Sequence, residues 1–151
     1  MSELSEYLSP EDILFNVQAS SKRDLFLQVG KHMERVHGVS GQSVAAALQR
    51  RELAGSTSLG HGVAIPHARV KEAEQVRIVY VRLLPALVFD SPGGDSVSDV
   101  VVIIVPGPAV QVHLDILSQV ASLFSDHVFR KALYECHHPF QLKELVAYWP
   151  H

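Results

Sequence analysis

A single cysteine, Cys136, stands among the 151 residues, so no internal disulfide can form and a reducing compartment is the simplest setting. Long hydrophobic runs are also missing. The longest, residues 100–105, is closed by Pro106. A membrane helix needs roughly 20 apolar residues, so this run suits a buried strand instead. Residues 1–6 carry acidic side chains and lack the basic-then-apolar pattern of an export signal. Nor is there an excess of positive charge: 13 Lys and Arg face 16 Asp and Glu, for a net charge of -3. Nucleic acid as the main partner wants a basic face and is not expected. The expectation is a cytoplasmic protein with no membrane insertion.

Several catalytic signatures are absent as well. No His-Glu-x-x-His helix or paired cysteines offer a zinc site, despite nine histidines. No Ser or Cys nucleophile elbow occurs, and no two carboxylates are spaced for acid–base work, so a histidine-dependent hydrolase is the weakest reading. Neither a metal nor a cofactor is expected.

What is present describes a globular chain, 47% hydrophobic and 19% charged, of a length that fits one domain. Residues 1–151 are read as that single domain, with a short N-terminal extension over about residues 1–8. Ser9-Pro10-Glu11-Asp12 is a helix-start signal within the opening segment, residues 4–20. Leu25, Val29, Met33 and Val36 recur at helical spacing, predicting a helix over residues 22–36 that ends at His37-Gly38. Ser40 can cap a second, to about Glu52. Residues 77–84 and 86–90 read as strands, 91–95 as a turn, and 99–105 as a central buried strand. Helices are expected over about 110–124, from a Ser125-Asp126 cap to about Glu135, and over 139–147. Helices alternating with strands, with strands in the middle, make an α/β domain whose sheet is covered by helices on its faces.

The pattern breaks between residues 51 and 67. Gly55-Ser56-Thr57-Ser58-Leu59-Gly60-His61-Gly62 holds three glycines in eight residues, and Val63-Ala64-Ile65-Pro66-His67 follows. Such a segment delivers an imidazole at the end of a short apolar strand. Its glycines let backbone amides approach closely, while Arg51, Ser56 and Thr57 offer donors for an anion. Imidazole is a competent phosphoryl acceptor near neutral pH, and phosphoryl transfer asks mainly for positioning and for donors aimed at the moving charge. His113 lies in the first turn of the helix after Pro106-Gly107-Pro108, where the helix start attracts anions. It could sit against a phosphate on His67 if the fold joins the two loops.

Structural readings compete with these. Arg51 sits late in a helix, where the dipole favours a cation anyway, and its neighbour Arg50 is read as an ordinary surface residue. Ser56 and Thr57 could merely close the turn. Leu59, Val63 and Ile65 could form an apolar rim to the site or belong to the core. His32, His37, His127, His137, His138 and His151 are read as structural or solvated, and Cys136 as a semi-buried, unreactive thiol.

Gly60-His61-Gly62-Val63-Ala64-Ile65-Pro66-His67 resembles the signature of the mannitol/fructose-type enzyme IIA domains of the bacterial phosphotransferase system. Gln18-Ala19-Ser20-Ser21-Lys22-Arg23, His113-Leu114-Asp115-Ile116-Leu117 and Leu123-Phe124-Ser125-Asp126 resemble its nitrogen-related, PtsN-type branch. The resemblance implies a mixed sheet flanked by helices, with His67 accepting phosphate on Nε2 and His113 and Arg51 attending it. His61 stands where asparagine is common, adding a third imidazole, and Ala68 where glycine is usual. The implied function is a phosphocarrier fed by an HPr-like phosphodonor protein. With no IIB-like or membrane segment alongside, a regulatory role is expected over sugar transport. The alternative is a binding module whose partners read its phosphorylation state, with little or no onward transfer.

Overall fold

A computed structural model describes residues 3–89, 94–108 and 111–150 of the chain. Asp90, Ser91, Pro92 and Gly93, assigned above to a strand end and a turn, lie outside the described residues, as do Val110 and His151.

The fold is a mixed six-stranded sheet with α-helices on both faces. Its elements are β1 (Ile13–Val17), α1 (Lys22–His37), α2 (Gly41–Ala54), β2 (Ser58–Gly60), β3 (Val63–Ala64), β4 (His67–Arg69), β5 (Arg77–Val88), β6 (Ser96–Val105), α3 (Gln111–Ser125), α4 (His127–Tyr134) and α5 (Pro139–Tyr148). Strand order is β1-β5-β6-β3-β2, with β4 also on β6. β5 and β6 run antiparallel, whereas β1 on β5, and β3 and β4 on β6, are parallel.

Alternation along β6 divides the core in two. Val100, Val102 and Ile104 face α1 and α2, with Leu25, Phe26, Val29, Met33, Val44 and Leu48 above them. Val101, Ile103 and Val105 face the other way, toward Ile116, Val120, Leu123, Phe129, Leu133 and Leu142 of α3, α4 and α5. A strand covered on both faces does not alternate apolar with polar, which is why β6 reads as a continuous apolar run over residues 100–105. Leu4 and Leu8 are buried in the second core as well.

Two expectations need correcting. Ser9-Pro10-Glu11-Asp12 starts only a 3-10 turn over Pro10–Asp12, Ser9 makes no side-chain cap bond, and the chain enters β1 directly. The stretch predicted as two strands is the one strand β5, with Pro85 inside it. Proline is tolerated there because β1 pairs no further along β5 than Leu83, and pairing with β6 is irregular between Arg82 and Leu87. Helix starts are local chemistry and fall where expected: Ser40 Oγ accepts the Ser43 N–H, and Asp126 accepts those of Val128 and Phe129.

α1 and α2 cross backbone to backbone. A Cβ on Gly41 would lie 2.6 Å from the Gly30 carbonyl oxygen, and one on Gly30 would meet the Gly41 carbonyl more closely still. Gly30→Ala should therefore destabilise the protein: backbone cannot move aside as a side chain can, and overpacking of about 1–3 kcal/mol outweighs the roughly 1 kcal/mol gained in helix propensity. Urea unfolding would show a lower midpoint. An unchanged or higher midpoint would mean that the helices approach differently.

On the α3 face a buried polar network ties the sheet to α4. The Tyr80 hydroxyl donates to Asp99, and Arg82 Nε donates to the Tyr80 oxygen at 3.2 Å. Arg82 Nη1 and Nη2 donate to the carbonyls of Cys136 and Leu133, each at 2.8 Å. Asp99 is fully buried, and burial pushes its carboxyl above the usual range although Tyr80 and Arg82 act to lower it. Burial likewise raises the Cys136 thiol, in keeping with an unreactive sulfur.

Candidate functional site

His67 opens β4, and the parallel register sets it beside Ile103, Ala68 beside Ile104 and Arg69 beside Val105. His67 and Arg69 consequently share the α3 face, while Ala68 points into the α1–α2 core. Ala68 lies in strand conformation without a positive φ, so alanine serves at this position without strain. β4 is anchored on either side of His67, by the Ile103 N–H on the Pro66 carbonyl and the Val70 N–H on the Val105 carbonyl, both at 2.9 Å.

The imidazole is half-buried, and its Nδ1 lies 2.9 Å from the Ile65 carbonyl oxygen. A carbonyl only accepts, so Nδ1 carries the proton and donates it. In the neutral ring the lone pair then belongs to Nε2. The fold fixes which nitrogen keeps its lone pair free.

His67 lines a cleft of about 450 Å³ shared with Arg51, Arg50 and Ala47 of α2, Arg69, and His113, Leu114 and Leu117 of α3. α2 covers one face of the sheet and α3 the other, and side chains of both line the cleft beside β4. The two loops that the sequence could not join are thus brought together, with His67, His113 and Arg51 in one cleft. Arg50, read from sequence as an ordinary surface residue, lines it too, and so does Arg69, which the sequence reading passed over. Three guanidinium groups surround the imidazoles, and no carboxylate is among the described lining residues. An anion would be drawn to such a cleft.

The remaining expected site residues are placed elsewhere. Glu52 is buried and its carboxylate accepts the Thr57 N–H at 3.1 Å, the Thr57 hydroxyl at 2.6 Å and Lys22 Nζ at 3.1 Å. Both donors of Thr57 are therefore spent on holding the turn after α2. Ser56 is exposed, and its Oγ accepts the Ser58 N–H. His61 is exposed at the tip between β2 and β3, with φ 57° between Gly60 at 90° and Gly62 at 78°. Three successive left-handed residues explain why asparagine suits this slot, since it tolerates that region and histidine does so less often. None of these three side chains lines the cleft. Arg51 itself donates through Nη1 to the Gly55 carbonyl at 2.8 Å, leaving its other N–H groups for the cleft. Of the apolar candidates, Val63 and Ile65 are core residues and Leu59 packs against them. The apolar side of the cleft comes instead from α3, through Leu114, which is 58% exposed, and Leu117.

The model of the family described as phosphoenolpyruvate-dependent sugar phosphotransferase system, EIIA 2, matches residues 6–148, and the chain belongs to that family. A nitrogen regulatory protein of Pseudomonas aeruginosa is 32% identical over 124 residues, 82% of this chain and 80% of the relative. The crystal structure of nitrogen regulatory protein IIA-Ntr from Neisseria meningitidis, 33% identical, superposes with a TM-score of 0.87 over 96% of this chain and 99% of that one. The fold also matches the mannitol enzyme IIA of Escherichia coli in its complex with phosphorylated enzyme IIB, with a TM-score of 0.76 at 18% identity over 92% of this chain and 96% of that one. Among the described residues no helix is long and apolar enough to cross a membrane.

Proposed function

We propose that the protein is a phosphocarrier that takes a phosphoryl group onto His67 Nε2 from a phosphohistidine of an HPr-like donor protein, in a regulatory, nitrogen-related role. The observation that carries this reading is the hydrogen bond from His67 Nδ1 to the Ile65 carbonyl. As Nε2 attacks phosphorus, the P–N bond to the donor imidazole breaks and its electron pair returns to the donor. Positive charge then builds on the His67 ring. The Ile65 carbonyl meets that charge through the Nδ1–H, with no proton transfer required. Arg51, Arg50 and Arg69 face the phosphoryl oxygens across the cleft, and His113 can donate to one of them. Leu114, exposed beside these cations, suits a partner surface that combines apolar and acidic groups.

The nitrogen regulatory relatives favour regulation. The mannitol relative was solved in complex with a phosphorylated enzyme IIB, which favours a carrier that can pass phosphate on over the alternative, a binding module with little or no onward transfer.

The role of His113 is tested by rapid-mix phosphorylation at fixed donor concentration. A hydrogen bond to a charged group is worth about 1.5–3 kcal/mol, so His113→Ala should slow transfer by roughly one to two orders of magnitude. His113→Gln keeps a donor and should fall between that variant and the wild type. Arg51→Lys should also slow transfer, because a lysine cannot present a planar fork. Wild-type rates in a folded His113→Ala protein would remove it from the site.

A further inference from the structure

A cluster of titratable groups away from the His67 cleft sits where the Pro10–Asp12 turn meets the C-terminal half of α1. Asp12 is completely buried. Its carboxylate accepts from His32 Nε2 at 2.7 Å, and from His37 Nε2 at 2.8 Å to Oδ1 and 2.9 Å to Oδ2.

The two histidines are not equivalent. Arg35 Nη2 lies 3.4 Å from His32 Nδ1. A guanidinium only donates, so His32 Nδ1 is the acceptor and Nε2 keeps its proton for Asp12. His32 is thereby locked as an orienting partner. His37 carries no such lock: its Nε2 faces both oxygens of Asp12, and the exposed carboxylate of Glu11 is close by. One donor atom each from Glu11, Asp12 and His37 lies within 4.8 Å of the other two.

We infer that Glu11, Asp12 and His37 form a binding site for a divalent transition-metal ion, zinc in the first instance, with His32 holding the Asp12 carboxylate in place. Zinc bonds to nitrogen and oxygen of about 2.0–2.2 Å set tetrahedral ligand atoms roughly 3.4 Å apart. Glu11 is at the surface and can come in by rotation, while His37 Nε2 and the Asp12 oxygens, now 2.8–2.9 Å apart in a hydrogen bond, move slightly apart as the ion replaces the proton between them. His37 becomes a ligand by moving its proton from Nε2 to Nδ1, so a neutral ring binds without redox or covalent chemistry. Imidazole with carboxylates suits zinc and its neighbours, and a second carboxylate neutralises the ion's charge. The His32–Asp12 hydrogen bond is the outer-shell contact that commonly orients a ligating carboxylate. This site is built from the N-terminal segment and α1 and does not depend on phosphoryl chemistry at His67. Spacing along the sequence hid it, because residues 11, 12 and 37 meet only through the fold.

The test is a zinc titration of the full chain, read by competition with a chromophoric chelator and by the nitrogen shifts of labelled histidine. One zinc should bind per chain, with the His37 signal moving from the Nε2–H to the Nδ1–H tautomer. Loss of an outer-shell partner typically costs about 10- to 100-fold in affinity, so Glu11→Gln and His37→Gln should each weaken zinc by at least that much. Glu11 is exposed, so its variant will fold. No binding by the wild type, or wild-type affinity retained in either variant, would overturn the site. Zinc lodged at surface histidines such as His137 and His138 would give the second of these results.

Discussion

His67→Ala should accept no phosphoryl group at all from a donor system that fully labels the wild type. The variant loses the imidazole whose Nδ1 proton is committed to the Ile65 carbonyl and which lines the arginine-rich cleft. His113 shares the cleft, so a residual slow label there is the specific alternative, and peptide mapping of the labelled chain separates the two. Folding should be nearly unaffected. The ring is half-buried, and deleting it removes one hydrogen bond, to the Ile65 carbonyl, worth about 0.5–1.5 kcal/mol. The strand it starts remains held by Pro66, Val70 and Val105 backbone groups. Loss of acceptance together with a large fall in the unfolding midpoint would point to a structural role.

Arg82→Met should be among the most destabilising single changes in the protein. All three guanidinium nitrogens are engaged, with Tyr80, Cys136 and Leu133, and the group stacks 4.6 Å from the Phe15 ring centroid. Methionine keeps much of the stem but leaves two carbonyls at the end of α4 without these donors and Asp99 without the nearest positive charge. Removing one partner from a buried ionic network costs about 3–5 kcal/mol. The pH dependence identifies the cause. Asp99 already titrates above its unfolded value, and Arg82 acts to lower it. Without Arg82 it moves further up. A carboxyl with a raised folded pKa contributes stability that is present at low pH and lost as the pH rises through that pKa. The deficit of the variant relative to wild type should therefore be widest at neutral pH and narrow toward the ordinary carboxylate range. A deficit constant with pH would assign the loss to the carbonyls and the Phe15 contact alone.

How much of this was legible in the sequence depends on range. Caps are local, and Ser40 and Asp126 marked their helices correctly. β6 was legible because a strand covered on both faces cannot alternate. β1 was not: Ile13–Val17 is an edge strand with Asn16 at φ 57°, which breaks the two-residue rhythm, and its only strand partner among the described residues is β5, more than sixty residues away. At the site, the histidine and its motif were plain, and the cleft that unites His67, His113 and Arg51 depended on side chains of α2 and α3 both lining it beside β4. Arg69 was missed because the three-residue strand β4 gave no periodicity to say which face it shares. Thr57 looked like an anion donor because nothing in the sequence indicates that Glu52 would take both of its hydrogens.

The central claim is that His67 receives phosphate on Nε2 because its Nδ1 proton is held by the Ile65 carbonyl. Nitrogen NMR of the chain with labelled histidine, before and after phosphorylation by the donor system, tests it directly. The account predicts a neutral Nδ1–H tautomer for His67 in the free protein and one phosphoryl group bonded to its Nε2 afterwards. An Nε2–H tautomer in the free protein, or phosphate found on Nδ1 or on another histidine, would contradict it.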